Sequence, residues 1–137
     1  MAFEAVGRTL VIVHNANYPT DAEWDAYLQA LLAHVTQWKD RRSLVLTAGG
    51  APSSKQRTRM SEVVGDSVAP TAVLTTSAPV QATVGALHLR NAAIRTFPPD
   101  DLDGALAHLG LREEEKKRIL LILPGLKQKV GVEPEPT

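Results

Sequence analysis

The segment Thr9–Leu31, TLVIVHNANYPTDAEWDAYLQAL, changes its periodicity halfway along and so sets the architecture of the chain. Thr9–Val13 is a nearly continuous run of apolar and β-branched residues, which predicts a buried strand. His14-Asn15-Ala16-Asn17-Tyr18-Pro19 is too polar and turn-rich to continue it and reads as a loop. Thr20 and Glu23 then stand at capping-box spacing, where each side chain satisfies an end N–H near the other. Trp24, Leu28, Leu31, Val35 and Trp38 follow at intervals of three and four, the stripe of a helix that buries one face. Lys39 falls in its predicted last turn, where a cation suits the helix dipole.

Upstream, Phe3–Val6 is strand-like and Gly7-Arg8 is a two-residue turn, so the chain opens with a hairpin. Downstream, strands and helices alternate. Ser43–Thr47 is a second buried strand, and Ala48-Gly49-Gly50-Ala51-Pro52 turns the chain. Ser53, with Gln56 at the capping-box position, starts a helix that runs to about Val64 and stops at Gly65. Its apolar face is small: Met60, Val63 and Val64. Thr71–Thr75 is the next strand, and Ser77 caps a helix over Pro79–Leu89 with Val80, Val84 and Leu87 on one side. Arg95-Thr96-Phe97, preceded by Ile94, is a brief strand ended by Pro98-Pro99. Asp100–Leu109 is a short helix with acids at its start and Gly110 as its stop.

Arg112–Leu123 is strongly helical, with Glu113–Lys117 and Glu114–Arg118 spaced as favourable pairs. Its stripe of Ile119, Ile122, Leu123, Leu126 and Val130 runs past Pro124, which is expected to kink or break it. From Val132 the sequence VEPEPT is polar and proline-rich, the composition of a disordered tail. The expectation is one α/β domain over residues 1–131, with a tail over 132–137. Its mostly parallel sheet is packed by helices and carries an extra C-terminal helix.

Composition narrows the function. The chain has 137 residues and no cysteine, which excludes disulfides, thiol catalysis and thiolate zinc sites. Fifteen basic and fifteen acidic residues cancel, so no general polyanion-binding surface, and hence no nucleic acid, is expected. No apolar run approaches the ~20 residues of a membrane span. Met1-Ala2-Phe3-Glu4 lacks the basic-then-apolar pattern of a signal peptide, so the expected location is cytoplasmic.

The hairpin, the alternation after it and the Thr9–Leu31 segment together resemble the STAS fold, over roughly Phe3–Leu109. This is the fold of bacterial anti-sigma-factor antagonists and the wider SpoIIAA-like group. In that family a phosphorylatable serine follows the strand after the first long helix. The matching stretch here is Thr47–Ser54, which places Ser53 and Ser54 near that position but lacks the preceding aspartate. The resemblance implies a non-enzymatic regulatory or scaffolding module that binds another protein. Members of the fold also bind small molecules, which implies the alternative of an anionic or lipid-like ligand.

Ligands of open α/β sheets gather at the carboxyl ends of strands. Four segments are expected there: His14–Asn17, Ala48–Ser54, Thr75–Ser77 and Phe97–Pro99. The candidate residues for partner or anion binding are His14, Asn15, Gly49, Gly50, Ser53, Ser54, Lys55, Arg57 and Ser77. Helix N-termini at Ser53 and Ser77 offer free N–H groups to an anion, and the competing reading of both serines is ordinary capping. Gly49-Gly50 suits close approach of a phosphate or a simple tight turn. Lys55, Arg57 and Arg59, with Arg41 and Arg42, form either a basic patch for an acidic partner or a solvated helix face.

GGAPSSK lacks the Gly-Lys-Ser/Thr of a Walker loop, and no GxGxxG is present, so no cofactor is expected. His14 with Ser53 or Ser77 and Asp21 has the residue types of a triad, but no GxSxG elbow accompanies them. His34, His88 and His108 fall on separate helices, against a metal site. Ile119–Leu123 is apolar nearly all round. It either completes the core or docks on a second subunit or partner. Lys116, Lys117, Arg118, Lys127 and Lys129 flank it, and Glu113–Glu115 oppose a membrane-surface role.

Overall fold

Every residue of the strand Thr9–His14 is buried, as its unbroken apolar run requires. The computed structural model describes residues 1–132. In chain order the elements are β1 (Ala2–Val6), β2 (Thr9–His14), α1 (Asp21–Gln37), β3 (Arg42–Thr47), α2 (Ser54–Val64) and β4 (Thr71–Leu74). They continue with α3 (Ala78–His88), β5 (Ile94–Phe97), α4 (Leu102–His108) and α5 (Glu113–Lys129). The molecule is α/β, built on one five-stranded mixed sheet of order β1-β2-β3-β4-β5.

β1 and β2 pair antiparallel with Val6 opposite Thr9, which leaves Gly7-Arg8 as the two-residue turn. Gly7 has φ +55°, the left-handed conformation that the first position of a II′ hairpin turn requires. All other strand pairs are parallel. Side chains alternate between the two faces of the sheet. Leu10, Ile12, Val73 and Ile94 meet α1, α2 and α3 on one face. Val11, Val13, Leu44, Ala72, Leu74 and Phe97 meet α4 and α5 on the other.

α1 has the predicted capping box, with Glu23 N donating to Thr20 Oγ1 at 3.1 Å and Thr20 N to Glu23 Oε1 at 2.8 Å. Its buried stripe is Trp24, Tyr27, Leu28, Leu31 and His34, and the helix ends at Gln37, so Lys39 lies beyond it. Tyr27 and His34 widen the expected stripe, and Trp38 drops out of it because it is the extended C-cap residue beyond the helix. The His34 ring bonds the Arg8 carbonyl through Nε2 at 3.0 Å, which satisfies its buried nitrogen.

α5 runs straight through the position at which a break was expected, from Glu113 to Lys129 with Pro124 inside. Pro124 is exposed and Leu120, whose carbonyl loses its partner, is 48% exposed, so that carbonyl is open to water. Ile119, Leu123 and Leu126 complete the core under the sheet. Leu120 and Leu121 remain exposed. The expected four-apart ion pairs do not form. Lys116 instead pairs with Glu113 at 3.2 Å, and Glu115 reaches back to Arg8 at 3.0 Å. Among the described residues no helix is long and apolar enough to cross a membrane. The expected tail lies, apart from Val132, outside the described residues.

Candidate functional site

α2 has too few apolar residues to lie flat on the sheet, since only Met60, Val63 and Val64 contribute to the core and all are in its second half. It leans on α1 instead. The lock is polar. Trp24 Nε1 donates to the Gln56 carbonyl at 2.9 Å, and Gln56 Nε2 donates to Pro19 O at 3.0 Å and Asp21 Oδ1 at 3.1 Å. α3 packs against β5 on the far side. Between α2 and α3, over β3 and β4, a cleft of about 340 Å³ is left open.

Its walls are mainly apolar. Ile12, Val45 and Val73 supply the floor, Met60 and Val64 one side, and Val80 and Val84 the other. Polar groups stand at its two ends. At the carboxyl end of the strands are His14, Thr47 and Gly50. At the amino end are Arg41, Ser43, Ser67, Thr71 and Asn91. Volumes of 300–1,000 Å³ with apolar walls and a few convergent polar groups are typical of small-molecule sites.

Arg41 is the unusual member. It is 6% exposed, yet no carboxylate lies within ion-pair distance of it among the described residues. Its Nε donates to Ser67 Oγ at 3.1 Å and its Nη2 to the Ser67 carbonyl at 3.4 Å. Burial lowers its pKa below the ordinary guanidinium value, but a guanidinium stays charged at neutral pH. Tyr27 lines the same cleft, and burial pushes its phenol up to about 12 while the Arg41 charge pulls it down.

His14 is 5% exposed and its Nδ1 has no hydrogen-bond partner. Burial, helped by the N-terminal ammonium, pushes its pKa from 6.5 down to about 4, so the ring is neutral at pH 7. That ammonium is itself held by Glu23 Oε2 at 3.0 Å.

The glycine pair has a structural task. Gly49 has φ +130°, which side chains rarely adopt. A Cβ at Gly50 would collide with the backbone oxygens of Asn15 and Asn17. Gly50 N donates to Asn15 O at 2.8 Å and Ala48 N to His14 O at 3.2 Å, so the loops after β2 and β3 are tied together. Asn15 Oδ1 accepts from Asn17 N at 2.9 Å.

The strand-end segments do not form one crevice. His14 and Gly50 open on the apolar cleft, whereas Thr75 and Phe97–Pro99 line a separate, more open depression. The division follows from the crossovers, since α3 after β4 packs on one face and α4 after β5 on the other. Ser53 Oγ accepts from Gln56 N at 3.1 Å and Ser77 Oγ from Val80 N at 3.3 Å, so both serines act as N-caps. Ser54 Oγ accepts from Arg57 Nη2 at 3.1 Å, and Arg57 also bonds Pro52 O at 3.2 Å. Ser54 and Lys55 are exposed.

The five basic residues grouped from the sequence are dispersed. Arg59 pairs with Asp25. Arg42 bonds the Leu109 carbonyl at 2.7 Å, and Arg41 is in the cleft. No group of three acidic or histidine side chains placed to hold a metal occurs among the described residues.

Tyr27 and Ser67 are site residues that sequence reasoning missed, and Arg41 was placed in a basic patch beside the Ser53 helix rather than in the cleft. No local signal placed them there, since Arg41 lies just ahead of β3 and Ser67 in the connection before β4. No protein-family model, no curated protein and no solved structure matches this chain.

Proposed function

We propose that this protein is a non-enzymatic module, STAS-like in the order of its elements, that binds a small apolar molecule in the cleft between α2, α3 and the sheet. The carrying observation is a 340 Å³ space lined by Ile12, Val45, Val73, Val80 and Val84 and left open by a helix too polar to close it. The cleft supports the ligand-binding alternative over protein docking at the Ser53 helix. Ser53 is occupied in capping and Arg57 turns back on Pro52 and Ser54, so neither presents a free group to a partner. A binding role also fits the polar groups at hand. His14 has no hydroxyl bonded to its ring, and Ser53 and Ser77 are committed to backbone N–H groups.

The test is titration with the neutral dye N-phenyl-1-naphthylamine, read by its emission and by Trp24 fluorescence. Saturable enhancement at one site is expected, lost on Val84→Phe, which fills the cleft, with the fold retained by circular dichroism. No enhancement by the wild-type protein removes the proposal.

A further inference from the structure

The amino end of the cleft carries a charge with no acidic partner among the described residues. Buried ionised groups are paired, because an unpaired charge loses its hydration without compensation. Arg41 is 6% exposed, its only acceptors among the described residues are Ser67 Oγ and Ser67 O, and no described carboxylate is within 4.0 Å. Its remaining donor, Nη1, has no acceptor among the described residues. The hydroxyl-bearing side chains of Tyr27 and Ser43 line the same cleft, and both residues are buried. A guanidinium beside hydroxyls, with Nη1 still accessible from the cleft, is a receptor for a small oxyanion.

The rest of the cleft sets what must be attached to that anion. From Arg41 the floor runs along β3, and the six steps to Thr47, which pairs with His14, span about 20 Å at ~3.3 Å per residue. Between these ends the lining is Val45, Val73, Val80, Val84 and Met60. A dry apolar cavity of about 150 Å³ holds one benzene. By proportion, 340 Å³ holds about a dozen non-hydrogen atoms. At the far end His14 is neutral, and the N-terminal ammonium beside it is already paired with Glu23.

We infer that the ligand is a medium-length, single-chain carboxylate, its head group on Arg41 and its chain under α3 toward His14. Of the arginines that line the cleft Arg41 alone is buried, Arg57 being half-buried and Arg90 exposed, and a monocarboxylate matches its single charge, whereas a phosphate monoester brings up to two charges to it. The inference rests on the proposed ligand-binding role and adds the head group, its place and the chain length.

The experiment is displacement of bound N-phenyl-1-naphthylamine at pH 8 by decanoate, 1-decanol and decyl phosphate. It uses the wild-type protein, Arg41→Met, which keeps an apolar stem, and Arg41→Lys, which keeps a charge. Decanoate is expected to displace the dye at about one-tenth the concentration of decanol or less, since a charge-assisted bond separates them. Arg41→Met removes that preference, read as the ratio of decanoate to decanol concentrations that displace the dye, and Arg41→Lys restores part of it. Equal displacement by decanoate and decanol in the wild-type protein overturns the inference while the apolar cleft stands. So does a decanoate preference that survives Arg41→Met, or stronger displacement by decyl phosphate. The wild-type comparison decides the matter even if Arg41→Met does not fold. Failure of the dye to bind overturns the ligand-binding role itself.

Discussion

Arg8, in the turn of the N-terminal hairpin, forks onto Glu115 in the first turn of α5, with Nε to Oε2 at 3.0 Å and Nη2 to Oε1 at 3.1 Å. Both side chains are largely covered, at 12% and 15% exposure, so the pair is stronger than an open surface bridge. Glu115 also accepts from Arg112 N at 3.0 Å, which helps start the helix. Arg8 holds its carboxyl below the usual range. The stabilisation is therefore present above the unfolded carboxyl pKa and lost as pH falls through the lowered one.

Glu115→Gln is expected to cost about 1–3 kcal/mol at pH 7, measured by urea unfolding. The difference from the wild-type protein shrinks in acid. A cycle with Arg8→Met separates the pair from the helix-start bond. A coupling energy of zero contradicts the pairing.

His14 makes the protein acid-sensitive. Its pKa near 4 in the fold lies below the ordinary 6.5, so the unfolded chain takes up the proton first and stability falls as pH drops between those values. From pH 7.5 to 4.5 the loss from this group is about 2–3 kcal/mol. His34, also lowered by burial, adds to it in the same direction. His14→Leu should flatten the pH dependence of the urea midpoint, and an unchanged slope would count against a neutral buried ring.

Gly50 has no room for a methyl group, because the backbone oxygens of Asn15 and Asn17 cannot swing aside. Gly50→Ala is expected to destabilise by about 1–3 kcal/mol through overpacking. It also displaces the His14 loop. Melting temperature checks the first effect and dye affinity the second. A neutral result on both would mean that the two loops are not held in the close approach described.

Gln56 joins α2 to α1 by bonding Pro19 O and Asp21, while its own carbonyl oxygen receives Trp24 Nε1. Gln56→Leu strands the Pro19 carbonyl and loses the capping bond to Ser53 N at 2.9 Å. A loss of about 1–3 kcal/mol is expected. The emission of Trp24 should shift as α2 loosens. A midpoint within error of the wild-type value would show that apolar contacts alone hold α2.

Local signals in the sequence were enough for the elements. The run TLVIV, the Thr20–Glu23 and Ser53–Gln56 boxes and the Gly7-Arg8 turn each state a local preference that the packing keeps. The sheet order was not legible, because pairing between strands depends on contacts that no local pattern encodes. Pro124 misled because its missing N–H and freed carbonyl cost little on an exposed helix face. The cleft was half legible. The poverty of apolar residues in α2 was plain, but its consequence required knowing that α2 leans on α1. Arg41 was counted among surface charges because composition gives charge without giving direction.

The sheet order has a consequence for how the molecule is made. Each strand pairs with the one synthesised immediately before it. The sheet therefore lengthens in the order in which the chain leaves the ribosome, and each step closes only a short loop. The contacts of α5 break this rule. Arg8 waits for Glu115, 107 residues later. Until α5 arrives, Val11, Val13 and Leu44 have no cover from Ile119, Leu123 and Leu126 on their face. The final helix is thus the latch of the nascent protein, and a chain stalled before it presents an apolar sheet face to whatever meets nascent chains.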